Sequence, residues 1–141
     1  MSNVKFEIIN SLSGICAEDW NSLNGNNTVT SYEFLATLEE TQNVGDKSGW
    51  TPAHLIAKDD QKLVGAVPLY IKTHSYGEYI FDWAWADAYH RSGLDYYPKL
   101  VSAIPFTPTT GPRLLASSKG FKQCDTDFIN TEFKTENNDP R

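Results

Sequence analysis

The chain has 141 residues, enough for one domain with its own hydrophobic core. Its formal net charge of −6 argues against general affinity for DNA or anionic membranes, because both need clustered Lys and Arg. The first residues lack a basic region followed by an apolar run, and no apolar stretch could cross a bilayer. We therefore expect a cytoplasmic protein with no membrane span and no DNA partner. Cys16 and Cys124 match no metal-ligand spacing. In a reducing cytoplasm we expect both to be free thiols and not to form a disulfide.

The first third of the chain predicts one strand and two helices. Residues 4–10 alternate imperfectly between apolar and polar side chains, as a strand does. Residues 16–23 place apolar side chains on one helical face. A second helix is predicted over residues 32–42, because apolar residues again recur at helical spacing. Thr30 or Ser31 can cap its N-terminus.

The middle of the chain predicts a β-hairpin. Residues 52–58 and 63–72 have strand patterns, and the polar residues 59–61 between them are typical of a tight turn. The second strand is apolar on both faces, so we expect it to be central in a sheet. Pro68 donates no backbone hydrogen bond, which predicts a bulge or a gap in pairing at that position.

The rest of the chain is less regular. Residues 77–83 alternate in a way that predicts another strand, and residues 84–91 fit a helix. Residues 99–104 are ambiguous, and residues 114–115 fit a short strand. Residues 117–141 have the weak pattern of a poorly ordered polar tail.

An ordered series of short motifs points to a family. The series reads GWTPAHL at residues 49–55, LVGAVPLYIK at 63–72, HSYGEY at 74–79, FDWAWADAY at 81–89, YYPKL at 96–100, PFTP at 105–108 and TGPRLL at 110–115. Each motif alone is weak, but the ordered set is specific. Over residues 5–115 it resembles the bacterial FemAB-like family of N-acyltransferases, proteins of peptidoglycan biosynthesis or recognition in the GNAT superfamily.

The resemblance implies a fold and a chemistry. The fold would be α/β (α+β), with a GNAT-like mixed, mostly antiparallel sheet flanked by helices. The donor would be an acyl-CoA or an aminoacyl-tRNA, and the acceptor an amine on a small molecule or peptide. After residue 115 the family continues into a large second half, and no Arg/Gln-x-x-Gly-x-Gly/Ala phosphate loop occurs in this sequence. We therefore expect a truncated, incomplete GNAT-like domain at residues 1–116, with no donor-binding site demonstrable in this chain.

Two acidic residues are the candidates for catalysis. If residues 77–83 form a strand, Glu78 and Asp82 project from the same face. Either carboxylate then suits a general base that takes a proton from an acceptor amine. The alternative is a half-exposed strand whose carboxylates are simply solvated.

A further set of residues is predicted to bind substrate. Aromatic side chains can wall a pocket, Lys and Arg can meet phosphate or carboxylate, and the flanking polar groups can orient a ligand. The set is His74, Tyr76, Trp83, Trp85, Asp87, Tyr89, Lys99 and Arg113. Core packing of the aromatic residues and surface salt bridges of the charged ones are the alternatives. No recognised spacing supports a metal site at His74 and residues 87–90, so we expect none.

Three functions remain open from the sequence. The first is an N-acyltransferase, here in truncated form. The second is a non-catalytic module that binds a cell-wall or peptide ligand. The third is a product without activity, whose exposed sheet edge promotes self-association.

Overall fold

The computed structural model describes residues 3–117, which form seven strands and three α-helices. The strands are β1 Val4–Ile9, β2 Trp50–Pro52, β3 His54–Asp59, β4 Lys62–Val67, β5 Tyr70–Lys72, β6 Lys99–Val101 and β7 Leu115–Ala116. The helices are α1 Ala17–Asn24, α2 Tyr32–Glu40 and α3 Trp83–Arg91. The predicted tail beyond residue 117, including Cys124, lies outside the described residues.

The strands of residues 3–117 form two antiparallel sheets. Sheet A has the order β1-β3-β4-β7, and sheet B has the order β2-β5-β6. Every pairing between these strands is antiparallel. The predicted α+β class is therefore confirmed, although the strands divide between two sheets and do not form one mixed sheet.

The two N-terminal helices cover one face of sheet A. Their apolar faces meet the sheet in a cluster that includes Trp20, Leu35, Ile56, Ala66 and Leu115. Burial of such side chains, at roughly 1.5–3 kcal/mol each, is the main force that holds helices on a sheet. The helix predictions are confirmed to within a residue or two at each end.

Of the two residues predicted to cap the N-terminus of α2, one does so. The hydroxyl of Ser31 accepts a hydrogen bond from the N–H of Phe34 at 3.2 Å, so Ser31 is the cap. Thr30 lies in the preceding turn of 3-10 helix. Its side chain is buried against Asn24, so it is not available to α2.

The hairpin and its central strand are found as predicted. β3 and β4 pair through a turn at Asp60, whose positive φ of 54° suits an acidic turn residue. β4 lies between β3 and β7, so it is central in its sheet. A register shift falls between Ala57 and Lys58.

Pro68 marks the point where the chain leaves one sheet for the other. The predicted second strand ends at Val67, and the chain resumes as β5 in sheet B. The predicted first strand divides at Ala53 in the same way. The N–H of Ala53 donates to the carbonyl of Leu69 at 2.9 Å, so the two crossing segments are tied together. The expected gap in pairing at Pro68 is confirmed.

The strand predicted for residues 77–83 is wrong. The N–H of Glu78 donates to the carbonyl of Ser75 at 3.2 Å, which closes a turn. Gly77 adopts a φ of 81°, a conformation that a strand residue does not use. A helix then begins at Trp83. The ambiguous segment that follows forms β6.

Candidate functional site

Three charged side chains from separate segments meet beside sheet B. Nζ of Lys99, at the start of β6, lies 2.7 Å from Oε2 of Glu78 and in close contact with Oδ2 of Asp82. Glu78 comes from the turn after residue 75, and Asp82 precedes α3. Their side chains are only 11–16% exposed. The two predicted catalytic residues are thus adjacent, but a shared lysine joins them, not a shared strand face.

Asp82 has both carboxylate oxygens engaged. Oδ1 accepts a hydrogen bond from the hydroxyl of Ser75 and a longer one, at 3.4 Å, from the hydroxyl of Tyr97. Oδ2 accepts from the hydroxyl of Tyr96 and from Lys99. Burial opposes ionisation, but the hydrogen bonds from Lys99, Ser75 and Tyr96 outweigh it and hold the pKa of Asp82 well below its usual range. Asp82 is therefore a fixed anion and a weak base.

The same hydrogen bonds change the acidity of the partners. Donation to Asp82 is the main reason why the pKa of Tyr96 rises to about 12. Burial works to lower the pKa of Lys99, but hydrogen bonds to Asp82 and Glu78 outweigh it, so this pKa lies above its usual value. Within the cluster, Lys99 is therefore a fixed cation, Asp82 a fixed anion and Tyr96 a protonated phenol at neutral pH.

Glu78 differs from Asp82 because one of its oxygens is unused. Oε2 is paired with Lys99, whereas Oε1 is buried and has no hydrogen-bond partner anywhere in residues 3–117. A buried acceptor without a partner destabilises a protein by about 1–3 kcal/mol. A donor that reached Oε1 would remove that penalty.

A second lysine holds the turn that carries Glu78. Lys72 is fully buried at the end of β5 and is the direct partner of Lys99 on the neighbouring strand β6. Its ammonium donates to the carbonyl of Tyr76 at 2.6 Å and lies 4.1 Å from the ring centre of Trp50. Burial is the largest cause of a lowered pKa for Lys72, and the nearby cation Lys99 adds to it. The nearby carboxylates Glu78 and Asp82 act in the opposite direction.

An open groove of about 540 Å³ lies next to this cluster. It is lined by Trp50, Gly77, Glu78, Tyr79, Ile80, Val101, Ala103, Ile104, Thr107, Pro108, Thr109, Thr110 and Arg113. The guanidinium of Arg113 donates to the carbonyls of Thr109 at 2.7 Å and Gly111 at 3.1 Å. Arg113 is therefore held in the groove wall by its own loop.

Of the predicted substrate-binding residues, Lys99 lies at the centre of the cluster and Arg113 lines the groove. Tyr76 contributes only its backbone carbonyl, which accepts a hydrogen bond from Lys72. His74 lies to one side, where its ring meets that of Tyr76 at 5.2 Å and its Nδ1 accepts the N–H of Tyr76 at 3.2 Å.

The remaining predicted binding residues lie on α3, away from the groove lining. Trp83 and Trp85 are 59% and 66% exposed, so core packing is the wrong explanation for them. Asp87 forms a solvent-exposed ion pair with Arg91 at 2.9 Å. Tyr89 contacts the ring of Tyr96 at 5.2 Å and so reaches the edge of the cluster.

Several site residues were not identified as such from the sequence. Ser75 shows no nucleophile motif, and Lys72 reads only as the polar end of an apolar strand. Tyr96 and Tyr97 are among the aromatic residues that the sequence suggests for a pocket wall, but no spacing ties them to Asp82. The pairing of β5 with β6 brings these site residues to the same place, and no local sequence pattern predicts that pairing.

No helix within residues 3–117 is long and apolar enough to cross a membrane. Across the same residues, no group of three or more His, Cys, Asp or Glu side chains is placed to hold a metal ion.

The fold and the site together define an α+β protein with an ion-paired carboxylate cluster beside an open groove. The FemAB-like family model, described as peptidoglycan biosynthesis/recognition, matches residues 11–138. The chain belongs to this family, which ties it to peptidoglycan biosynthesis or recognition. The match extends past residue 115, so the likeness covers more of the chain than the motifs alone indicate. Neither a curated protein nor a solved structure gave a match.

Proposed function

We propose that the groove is the acceptor site of an N-acyltransferase and that Glu78 is its general base. The observation that carries the proposal is the unpartnered Oε1 of Glu78, a buried carboxylate oxygen on a residue that lines the groove. An amine N–H is the kind of donor that such an oxygen lacks.

The reaction would be a simple acyl transfer. The amine nitrogen attacks the carbonyl carbon of the donor, so a C–N bond forms while the C–S bond of a thioester or the C–O bond of an aminoacyl ester breaks. Oε1 of Glu78 takes the proton that the amine loses, and the departing thiolate or alkoxide is protonated in turn. Positioning of the two reactants supplies much of the acceleration.

The neighbours of Glu78 have supporting roles in this proposal. Lys99 holds Oε2, which fixes the orientation of the carboxylate and leaves Oε1 as the reactive oxygen. Asp82 keeps Lys99 in place and is itself too fully hydrogen-bonded to act as a base. Of the two candidates from the sequence, the hydrogen bonding thus favours Glu78.

The proposed donor, acceptor and cellular compartment rest on the family likeness. An acyl-CoA or an aminoacyl-tRNA is the donor we propose, and a peptide with a free amine is the acceptor, in keeping with a family of peptidoglycan biosynthesis/recognition. Both donor classes are cytoplasmic compounds, so we propose that compartment for the reaction.

Isothermal titration of the full chain tests the acceptor site. The ligand is a tripeptide with one free lysine amine, and the comparison ligand is the same peptide with that amine acetylated. We expect the free amine to bind at least tenfold more tightly, and Glu78→Gln to remove that preference, because a hydrogen bond to a charged group contributes about 1.5–3 kcal/mol. Glu18→Gln, an exposed carboxylate on α1, is the control.

Mass spectrometry of the tripeptide after incubation with acetyl-CoA or alanyl-tRNA tests transfer. Acylated product that depends on Glu78 supports the enzyme. Binding of the peptide without product from either donor identifies a recognition module, the second function left open by the sequence. Equal binding of the free and acetylated peptides would refute the acceptor site altogether.

A further inference from the structure

The indole N–H of Trp50 is the second unsatisfied polar group at the groove. Trp50 is 1% exposed and lines the groove, and its Nε1 has no hydrogen-bond partner in the part of the chain that the structure describes. Trp20 provides a contrast, because its equally buried Nε1 donates to the carbonyl of Thr30 at 2.9 Å. Buried indole N–H groups usually have such a partner.

The ring of Trp50 is not free to turn toward a partner. It packs edge-on against Tyr70 with ring centres 5.5 Å apart and lies tilted against Phe106 at 5.7 Å. The ammonium of Lys72 lies 4.1 Å from the ring centre. These contacts fix the direction of the N–H, so the missing partner has to come to it.

The N–H lies directly beside the turn that carries Glu78. A Cβ at Gly77 would be 2.7 Å from Nε1 of Trp50, so the backbone passes close to Nε1 and any side chain at this position would force a shift. Glu78 is the next residue, and its Oε1 is the unpartnered acceptor. Two residues that line the groove, Trp50 and Glu78, therefore carry a buried donor and a buried acceptor that have no partner within residues 3–117.

We propose that this pair selects the substrate class: Trp50 donates to a carbonyl or carboxylate oxygen of the same ligand whose amine binds Glu78. The groove then takes an amino-acid or peptide unit in preference to a simple alkylamine. This inference rests on the proposed function, since it assigns the amine to Glu78. Both atoms are covered in the free chain, so binding requires residues of the groove wall to move aside.

The test removes the N–H of Trp50 and keeps an aromatic ring. We expect Trp50→Phe to weaken binding of the free-amine tripeptide up to about tenfold in calorimetry, the upper range for the loss of one neutral hydrogen bond. Binding of n-pentylamine, which has the amine but no carbonyl, should be unchanged. The urea midpoint should fall, because the smaller ring loses packing against Tyr70 and Phe106, so the ratio of the two affinities is the readout for the N–H. Trp20→Phe, which leaves the Thr30 carbonyl unpaired, should lower that midpoint without altering the ratio of the two affinities.

The outcomes separate this inference from the function on which it rests. If Trp50→Phe binds the tripeptide as tightly as the wild type while Glu78→Gln does not, the inference fails and the proposed function stands. An equal loss for the tripeptide and pentylamine would assign the effect to the ring and overturn the role of the N–H. If Glu78→Gln also retains full binding, the proposed function itself fails.

Discussion

Nε2 of His54 lies 2.9 Å from Oε1 of Glu39, and the opposite ring nitrogen of His54 accepts the N–H of Leu69 at 3.2 Å. Because Nδ1 accepts, Nε2 carries the proton and donates to the carboxylate. The other oxygen of Glu39 accepts from the hydroxyl of Ser11 and the N–H of Leu12, both at 2.9 Å. One buried imidazole therefore links α2 to β3 and to the crossover between the two sheets.

Glu39→Gln should destabilise the fold by about 1–3 kcal/mol, the effect of leaving a buried group unpaired. A carboxylate accepts from every donor around it, whereas a glutamine amide must turn its NH₂ toward one of them. Chemical denaturation in urea measures the change. Glu40→Gln, an exposed neighbour on α2, should stay within about 0.5 kcal/mol of the wild type. Equal effects of the two substitutions would contradict this role for Glu39.

Stability should fall in acid partly because of Asp82. Its folded pKa lies below the unfolded value of about 3.9, because hydrogen bonds from Lys99, Ser75 and Tyr96 outweigh its burial. The unfolded chain therefore binds the proton first, so the contribution of Asp82 is full above about pH 5 and is lost as the pH falls below 4. The gap in unfolding free energy between the wild type and Asp82→Asn should be constant from pH 7 to about 5 and shrink below 4. A gap that stays constant into acid would disprove the linkage.

Lys99→Met should be the most damaging single change in the cluster. It leaves Glu78 and Asp82 close together without their cation, and breaking a buried ion pair from one side typically destabilises a protein by about 3–5 kcal/mol. The loss should be smaller near pH 4, because Asp82, whose pKa is no longer lowered by Lys99 in the variant, can then take up a proton.

The matched control for Lys99 is Lys58→Met. Lys58 pairs with Glu7 at 3.4 Å, but both side chains are substantially exposed, so about 0–1 kcal/mol should be lost. Urea denaturation at pH 7 and pH 4 compares the two variants. Similar losses for both would mean that the cluster adds no more stability than a surface pair.

Gly77→Ala should destabilise the protein more than Gly93→Ala. Both glycines have positive φ, at 81° and 73°, so both variants carry the strain of a left-handed alanine, about 1 kcal/mol. A Cβ at Gly93 meets nothing within 4 Å, whereas one at Gly77 lies 2.5 Å from Cε1 of Phe106. We expect a further loss of about 1–3 kcal/mol for Gly77→Ala from overpacking, measured as a difference in thermal or urea unfolding. Equal losses would show that the turn can shift to accommodate the added Cβ without a further loss of stability.

Much of the fold was predictable because the signals are local. The helix α2 follows from a capping residue at Ser31 and apolar residues at helical spacing. The β3–β4 hairpin follows from two apolar runs and a polar turn, and Pro68 marks the gap after β4 because it lacks an N–H. Each of these features depends on residues within a few positions of one another.

The site was predicted in part and for an incorrect reason. Alternation suggested a strand that would align Glu78 with Asp82, but Gly77 closes a turn there and Lys72 anchors it through the carbonyl of Tyr76. The two carboxylates are adjacent because Lys99 binds both. Whether either is catalytic stays a prediction.

By itself, the sequence determined the α+β class, the N-terminal helices, the hairpin and the family. Periodicity, caps, turn residues and ordered motifs are all signals between residues that are close in sequence. Only the tertiary structure decided that two sheets form, that Lys72 and Lys99 face each other across β5 and β6, and that Glu78 keeps one oxygen without a partner in residues 3–117. The physical reason is that strand pairing joins residues far apart in sequence, and hydrogen-bond satisfaction depends on which of them arrive at the same place.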